Sequence, residues 1–412
     1  MYNEAVPVTG LQTSQRTLVL ALLCVASFAV VFNNLIISPI LPDISEDLGV
    51  RVAVGGLLVT AYAVAGGLAA IFSGPLIDRI GRKPIVTWGM ALLTGATMLS
   101  AVAPDYYTLM ASRVLAGLGV ACLIPAVFAA VGDYFAYHER GRAMSWVVTA
   151  NTGASILGVP VGAFLSGVLS WRLTFVFIGL LCLVFTWLLF RRLPPDPERE
   201  TPAVGGLGAI RSVVSNVPTL AALASNFLAT TYWFVFITYM GAYFHEVYGL
   251  ATWALGGVTM VMGVGVLAGS NFGGRLSDRT GKRPIILAST AMCGGLMALE
   301  TTVVGTLPIA TGMLLLFASA GGARFTTQQA IMTEMSPRFR GTVMALNASC
   351  QQFGIVAGSA LGGLVLTVWG YTGLGPAAAI LAAASILAYA LFVDESRLRE
   401  EQPSEAEASP VA

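Results

Sequence analysis

Charged side chains are scarce in this sequence. Only 10% of its 412 residues are Asp, Glu, Lys or Arg, whereas 56% are hydrophobic. Soluble globular domains carry about 25% charged residues. So few charges cannot cover the water-facing surface of a chain of this length. We therefore expect lipid, rather than water, to surround most of the protein.

Histidine and cysteine are also rare, with two and five copies. His138 and His245 fall in predicted loops, and the cysteines are scattered without the spacing of a metal site. The sequence lacks a Gly-x-x-x-x-Gly-Lys-Ser/Thr phosphate loop and any basic stretch interleaved with aromatic residues. We predict that the protein is not an enzyme, has no metal or other cofactor, uses no ATP motor and binds no nucleic acid.

The charges that are present leave long stretches free, such as 52–77 and 212–244. A helix needs about 20 apolar residues to cross the hydrocarbon core. The longest free stretch, 341–393, has room for two crossings joined by a turn at 369–373. Strands of a membrane barrel would instead alternate over about 10 residues. The sequence predicts twelve membrane helices, near 17–38, 52–73, 84–103, 106–131, 143–168, 173–190, 218–243, 254–273, 284–304, 308–331, 342–368 and 374–393.

Lys and Arg are distributed unevenly between the two sides of these helices. Of the 22 basic residues, 18 fall on the side of the termini, and only Arg51 and Arg172 fall on the other. Arg113 and Arg324 fall within predicted helices. Basic residues accumulate on the cytoplasmic side of a membrane. The pattern predicts a multi-pass protein of the bacterial inner-membrane type, with both termini in the cytoplasm.

The chain matches itself when shifted by 200 positions. The segment 74–84 lies over 274–284, and the same register continues through Asn151 and Gln351. An even number of helices per repeat leaves both halves in the same orientation, as in secondary transporters with parallel repeats. We predict an all-α membrane protein of two six-helix bundles. Its parts are a cytoplasmic N-terminal segment (1–16), two bundles (17–190 and 218–393), a Pro-rich cytoplasmic linker (191–217) and a disordered tail (394–412).

The repeated segment resembles a motif of the major facilitator superfamily. The motif is Gly-x-Leu-x-Asp-Arg-x-Gly-Arg-Lys between helices 2 and 3, and 74–83 matches every named position, with a close copy at 274–283. The resemblance covers about residues 15–395. It implies a transporter fold and a latch in which Asp78 docks at the start of helix 11. The gating residues implied are Gly74, Asp78, Arg79, Gly81, Arg82, Lys83, Asp133, Gly274, Asp278, Arg279, Gly281, Lys282, Glu334 and Arg340.

A second resemblance concerns the branch of the superfamily. The segment 153–163 of helix 5 is similar to the motif of antiporters, although Val159 separates Gly158 from Pro160, and Ala163 follows Gly162 in place of a second glycine. Similar spacing is typical of the twelve-helix drug and sugar efflux branch (drug:proton antiporter-1, arabinose-efflux-like). In that branch an acid in helix 1 often carries the proton, whereas this chain has Asn33 and Asn34.

Polar side chains within the helices that line the path in this fold are the candidate substrate ligands. A polar residue in a membrane helix is a functional candidate by default, although an interhelical hydrogen bond is the alternative. An arginine at the centre of a helix costs about 2.5–3.5 kcal/mol to insert, so each one needs water or a partner. The candidates are Asn33, Asn34, Tyr62, Arg113, Asn151, Asn226, Trp233, Arg324, Gln328, Asn347 and Gln351.

These features predict a secondary active transporter that works by alternating access and exports a small organic compound, namely a drug, a sugar or an organic anion. One hypothesis is that Arg113 and Arg324 make the cavity electropositive and favour anionic or neutral polar solutes. For Arg324, a bond to a helix carbonyl is the alternative. We expect a monomer in the lipid bilayer, with protons as the candidate coupling ion. An uptake carrier for an organic anion or sugar, a non-transporting receptor and a lipid scramblase remain open.

Overall fold

A computed structural model describes residues 13–135, 137–194, 213–303, 305–335 and 340–393. Twelve of its helices are long and apolar enough to cross a membrane, as predicted. No β-strand occurs within these ranges. Helices suit such apolar segments because they satisfy their own backbone hydrogen bonds in lipid. The predicted linker (191–217) and the terminal segments lie largely outside the described residues.

The N-terminal half contains the first six membrane helices. Several of them begin at a side chain that caps the helix. Asp105 accepts a hydrogen bond from the amide of Thr108 at 2.9 Å, and Ser170 accepts one from Leu173 at 3.2 Å. The helices are α1 (Thr13–Leu35, then α1b at Ile37–Asp47), α2 (Val52–Gly55 and Leu57–Ile80), α3 (Arg82–Ala101), α4 (Tyr106–Tyr134), α5 (Tyr137–Gly153, a π-helical turn at Ala154–Gly158, and Val159–Val168) and α6 (Trp171–Arg192).

The C-terminal half repeats this order. Its first helix starts after Asn216, whose side chain accepts the amide of Thr219 at 3.1 Å. A 3₁₀ turn at Tyr371–Gly373 joins the last two helices. The helices are α7 (Val217–Ile237, then α7b at Met240–Tyr248), α8 (Thr252–Thr280), α9 (Lys282–Thr302), α10 (Leu307–Glu334), α11 (Arg340–Trp369) and α12 (Leu374–Phe392).

The backbone shows the repeat most directly at the turns between the second and third helices of each half. Gly81 has φ = 100° and ψ = 167°, and Gly281 has φ = 91° and ψ = 161°. A side chain would be strained at both positions, because positive φ favours glycine. We call the end that carries these turns the basic end, since Arg82 and Lys282 follow them. The other end is called the opposite end.

The first helix of each half is broken, although the sequence predicts continuous helices at 17–38 and 218–243. In α1 the break falls at Ile36, three residues before Pro39. The ring of a proline clashes with the carbonyl of the residue four positions earlier and lacks an N–H donor, so Pro39 ends the helix at Leu35. In the C-terminal half, Thr238 and Tyr239 separate α7 from α7b.

The two halves meet mainly through three pairs of helices. Within each half the helices pack on one another, for example α2 on α4 and α8 on α10. Between the halves, α1b contacts α7b, α2 contacts α11, and α5 contacts α8. The largest cluster of buried apolar side chains runs through this junction and includes Ile40 and Phe236. The candidate pathway therefore lies between the two bundles.

Candidate transport pathway

Hydrogen bonds close the pathway at the opposite end. The hydroxyl of Ser38 on α1b donates to the carbonyl oxygen of Ile237 at 2.6 Å. The hydroxyls of Thr60 on α2 and Ser359 on α11 are 2.7 Å apart. Gly241 permits the closest approach, because a Cβ added there would collide with the carbonyl group of Ser38. The halves thus touch backbone to backbone where the two broken helices cross.

Asp43 joins three helices at this end. Its carboxylate accepts a hydrogen bond from Ser166 of the N-terminal half and another from Thr252 of the C-terminal half, both at 2.6 Å. Bonds to a charged acceptor are among the stronger hydrogen bonds in proteins. Tyr239 adds a longer contact between the halves, because its hydroxyl lies 3.3 Å from the carbonyl of Ala53 in the N-terminal half. The same hydroxyl lies 2.9 Å from the carbonyl of Ser359 in its own half. We call these inter-half contacts the opposite-end gate.

Behind this gate, Arg113 lies buried in the N-terminal half with 1% of its surface exposed. Its Nη1 donates to the side-chain oxygen of Asn33 at 2.9 Å, and its Nη2 donates to Ser100 at 2.7 Å. The guanidinium also lies 5.0 Å from the centre of the Phe175 ring, within the range of a cation–π interaction. The groups that contact the charged guanidinium of Arg113 are therefore electrically neutral.

Two polar atoms at this site have no hydrogen-bond partner within the described part of the chain. They are the Nε of Arg113 and the hydroxyl of Tyr62, and both are buried. Both residues line one crevice with Asn33 and Asn34, and this crevice is too narrow to admit a water molecule. Ligand pockets usually measure about 300–1,000 Å³, so the crevice is closed to an organic solute in this conformation. Unpaired buried donors nevertheless suit a hydrogen-bond acceptor.

In the C-terminal half, amide side chains form a chain across three helices. Asn226 on α7 donates to Asn347 on α11 at 2.7 Å, and Asn347 donates to Gln329 on α10 at 2.6 Å. Gln328 donates to the carbonyl of Ala222 at 3.1 Å, while its own side-chain oxygen is buried and has no partner in the described ranges. The predicted Asn226 and Asn347 are thus brought together by a mutual bond.

Arg324 is directed into its own bundle. Its Nε donates to Thr290 on α9 at 2.9 Å, and its Nη2 donates to the carbonyl of Ser225 on α7 at 3.1 Å. The hydroxyl of Ser385 on α12 lies 3.5 Å from the same nitrogen. Arg324 therefore connects four helices of one half. Its bond to the Ser225 carbonyl is the alternative that the sequence analysis gave for this residue.

The remaining predicted ligands are spread over both halves. Asn151 accepts a hydrogen bond from Ser27 at 2.6 Å within the N-terminal half. Trp233 stacks on Phe317, with ring centres 4.4 Å apart. Gln351 is half-buried on α11. The structure thus does not gather all of the predicted residues around one cavity.

Comparison with known proteins decides the family. The sequence profile of the Major Facilitator Superfamily matches residues 23–323 and 272–412. The chain belongs to this superfamily. The chain is 29% identical to the uncharacterized MFS-type transporter YwfA of Bacillus subtilis over 385 residues, which is 91% of this chain and 92% of that one. It is 27% identical to a chloramphenicol resistance protein of Streptomyces lividans over 354 residues, covering 83% and 89%.

A solved structure supports the same fold. It is that of a bacterial homologue of the human lysosomal transporter Spinster in an inward-facing and unoccupied conformation. The TM-score is 0.70 at 19% identity, and the match covers 93% of this chain and 95% of the other. The resemblance to the superfamily and the fold of two six-helix bundles are therefore confirmed. The protein is a multi-pass transmembrane transporter of the Major Facilitator Superfamily.

The structure describes only some of the side chains in the superfamily's loop motif. Arg82 donates from Nη1 to the carbonyl of Ile77 at 2.9 Å and so closes the turn at Gly81. Gly274 lies against Thr326 of α10, and Arg279 is exposed. Lys282 begins the ninth helix, and Lys83 is the second residue of the third. Gly74 lies within α2. The side chains of Asp78, Arg79, Asp133, Asp278, Glu334 and Arg340 are not among those that the structure describes, so the latch stays a prediction.

The antiporter-like segment of helix 5 lies between α1 and α8. A Cβ at Gly158 or Gly162 would press on Phe32, and Pro160 faces Gly256 of the other half. The backbone forms a π-helical turn just before this proline. Such turns are frequent at functional sites. The segment therefore sits at the contact between the two halves.

Sequence reasoning missed the opposite-end gate. Ser38, Thr60 and Ser359 are single hydroxyls in apolar helices, and no motif marks them. Asp43 belongs to no motif either. A useful signal is present nonetheless, because Pro39 and Gly241 occupy nearly equivalent places in the two halves, each within the first turn after the break in its helix.

Proposed function

We propose that this transporter works by alternating access and exports small organic compounds that are neutral or anionic. The observation that carries the proposal is the opposite-end gate. It consists of a few hydrogen bonds and close backbone approaches between the two bundles. Such hydrogen bonds are individually worth about 0.5–1.5 kcal/mol, or about 1.5–3 kcal/mol where the acceptor is a charged group such as Asp43, so they can form and break in each cycle.

The chemistry of the crevice supports the class of solute. Arg113 offers an unpaired N–H, and Tyr62 offers an unpaired hydroxyl. No carboxylate among the described residues lines the crevice with them. This favours a solute that brings hydrogen-bond acceptors over an organic cation. The chloramphenicol resistance relative makes chloramphenicol, a neutral molecule rich in oxygen acceptors, the first probe to use.

The distribution of basic residues supports the direction. If the basic end faces the cytoplasm, then the opposite-end gate closes the pathway to the outside. The antiporter-like segment at Gly158–Gly162 is consistent with exchange of the solute against protons. We therefore propose that a proton gradient drives the export.

A reversible disulfide tests whether the gate must open. Thr60→Cys with Ser359→Cys, in a background without native cysteines, places two thiols where hydroxyls lie 2.7 Å apart across the halves. Thr94→Cys with Thr186→Cys is the matched control, because those hydroxyls lie 2.9 Å apart within one half. Chloramphenicol flux is measured in proteoliposomes and corrected for passive leak.

We expect oxidation to abolish flux in the first pair and a reductant to restore it. The control pair should transport in both states. Equal flux through the oxidised and reduced gate pair would refute alternating access at this gate. Absence of any protein-dependent flux in the reduced protein, with a panel of neutral and anionic drugs, would refute the proposed substrate class.

A further inference from the structure

Glu300 is the only acidic residue in the described part of the chain that is fully buried. It lies on α9, and 1% of its surface is exposed. Neither of its carboxyl oxygens has a hydrogen-bond partner among the residues that the structure describes. The residue stands two positions before Thr302, the end of the helix, which is about 3 Å along the helix axis. The carboxyl group is therefore shielded from water but close to the opposite end.

The surroundings of Glu300 do not stabilise a negative charge. Its main-chain carbonyl accepts the hydroxyl of Tyr243 at 2.6 Å. The rings of Tyr248 and Tyr371 lie 5.9 and 6.0 Å from that of Tyr243. The adjoining parts of α10 and α12 contain no charged residue. On α7b, the ring of His245 contacts the carbonyl of Leu250. The next residue, Glu246, is exposed.

A carboxylate buried without a donor or a cation is far more costly than the neutral acid, so such a group takes up a proton. The neutral form needs no counter-charge from the apolar side chains around it. Opening the site to water would remove this cost, since water hydrates the carboxylate. The proton would then pass from the carboxyl oxygen to a water molecule and leave the hydrated carboxylate behind.

The structure connects the backbone of Glu300 to the opposite-end gate. Tyr243, which donates to the main-chain carbonyl of Glu300, belongs to α7b, the segment whose Gly241 lies against the Ser38 carbonyl of α1b. Ser38 in turn donates to Ile237 at the start of the break in α7. Separation of the halves at this end would remove the support that α1b gives to α7b. A shift of Tyr243 would then move it relative to the end of α9 and open the neighbouring carboxyl group to water.

We propose that Glu300 is a proton-binding site that links closure of the gate to the pH at the opposite face. The closed state holds one proton more than the open state. Lowering the pH therefore favours the closed state, and raising it favours the open one. The inference rests on the proposed alternation of the gate but assigns a residue of α9, which lies outside the pathway between the halves.

The test measures the gate against pH in the purified full-length protein. Spin labels at Arg51→Cys and Thr367→Cys span the two halves at the opposite end, in the background without native cysteines. The ratio of closed to open populations is recorded from pH 5.5 to 8.5. Glu300→Gln mimics the neutral acid, and Glu246→Gln is the matched control, because it makes the same change at an exposed acid of the same end.

A single linked proton changes the closed-to-open ratio at most about tenfold per pH unit. We expect the slope to fall by up to one proton in Glu300→Gln, with the closed state favoured throughout, and to be unchanged in Glu246→Gln. An unaltered slope in Glu300→Gln would overturn the inference. So would a wild-type gate whose populations change with added chloramphenicol but not with pH.

Infrared spectroscopy provides a readout that does not depend on the proposed function. A carbonyl band of a protonated carboxyl group should be present at neutral pH, disappear in Glu300→Gln and remain in Glu246→Gln. Absence of such a band would contradict the proton on Glu300 even if transport were demonstrated. Its presence in a protein without chloramphenicol flux would support the site while the proposed substrate class failed.

Discussion

Removing the hydrogen bond between Thr252 and Asp43 should shift the equilibrium between the closed and the open gate by a definite amount. Thr252→Val keeps the shape of the residue and removes the hydroxyl that reaches Asp43 from the other half. Ser166 still donates to the same carboxylate from within the N-terminal half. The perturbation therefore acts on the contact between halves rather than on the folding of either one.

The magnitude follows from the kind of bond that is lost. Hydrogen bonds to charged groups contribute about 1.5–3 kcal/mol, and the lower value applies because Asp43 is only half-buried. A loss of about 1.5 kcal/mol reduces the closed-to-open ratio by roughly tenfold. The control is Thr302→Val, since that exposed hydroxyl bonds only the carbonyl of Ala298 in its own helix.

Chemical labelling measures this change directly. Asn34→Cys places a thiol in the crevice behind the gate, and a membrane-impermeant maleimide is added from the opposite face. We expect labelling about tenfold faster with Thr252→Val than without it, and no change with Thr302→Val. Labelling that is equally slow in all three backgrounds would refute the role given to the Thr252–Asp43 bond.

Two further substitutions separate the gate from the bundle interior. Gly241→Val should hold the gate open, because the new side chain would collide with the Ser38 carbonyl; an unchanged labelling rate at the crevice would contradict this. Arg324→Gln should lower the stability of the purified protein by about 2 kcal/mol or more, because it removes charged hydrogen bonds to Thr290 and Ser225. Its substrate preference should stay the same, and a change of preference at full stability would show that Arg324 faces the solute.

The sequence was sufficient for the fold because the determining features are local. Long uncharged segments require membrane helices in any arrangement, and the repeat places the halves in parallel. The glycines at 81 and 281 were marked by their motif, and the structure shows the same positive φ at both. These conclusions need no knowledge of which side chains meet.

The site could be predicted only in part, because its contacts are made between distant segments. The sequence shows that Arg113 and Arg324 need partners, but not that Arg113 would reach Asn33 or that Arg324 would reach the backbone of Ser225. The gate depends on Asp43 and Thr252, which are 209 positions apart. A hydroxyl in an apolar helix has no pattern that reveals its partner.

Paired distances at the two ends test the central claim most directly. One spin-label pair, Arg51→Cys with Thr367→Cys, reports the opposite end, and another, Ile80→Cys with Arg279→Cys, reports the basic end. Alternating access predicts reciprocal shifts: when chloramphenicol or pH lengthens the distance at the opposite end, the distance at the basic end shortens. Distances that change at one end alone, or that lengthen at both ends together, would contradict the account.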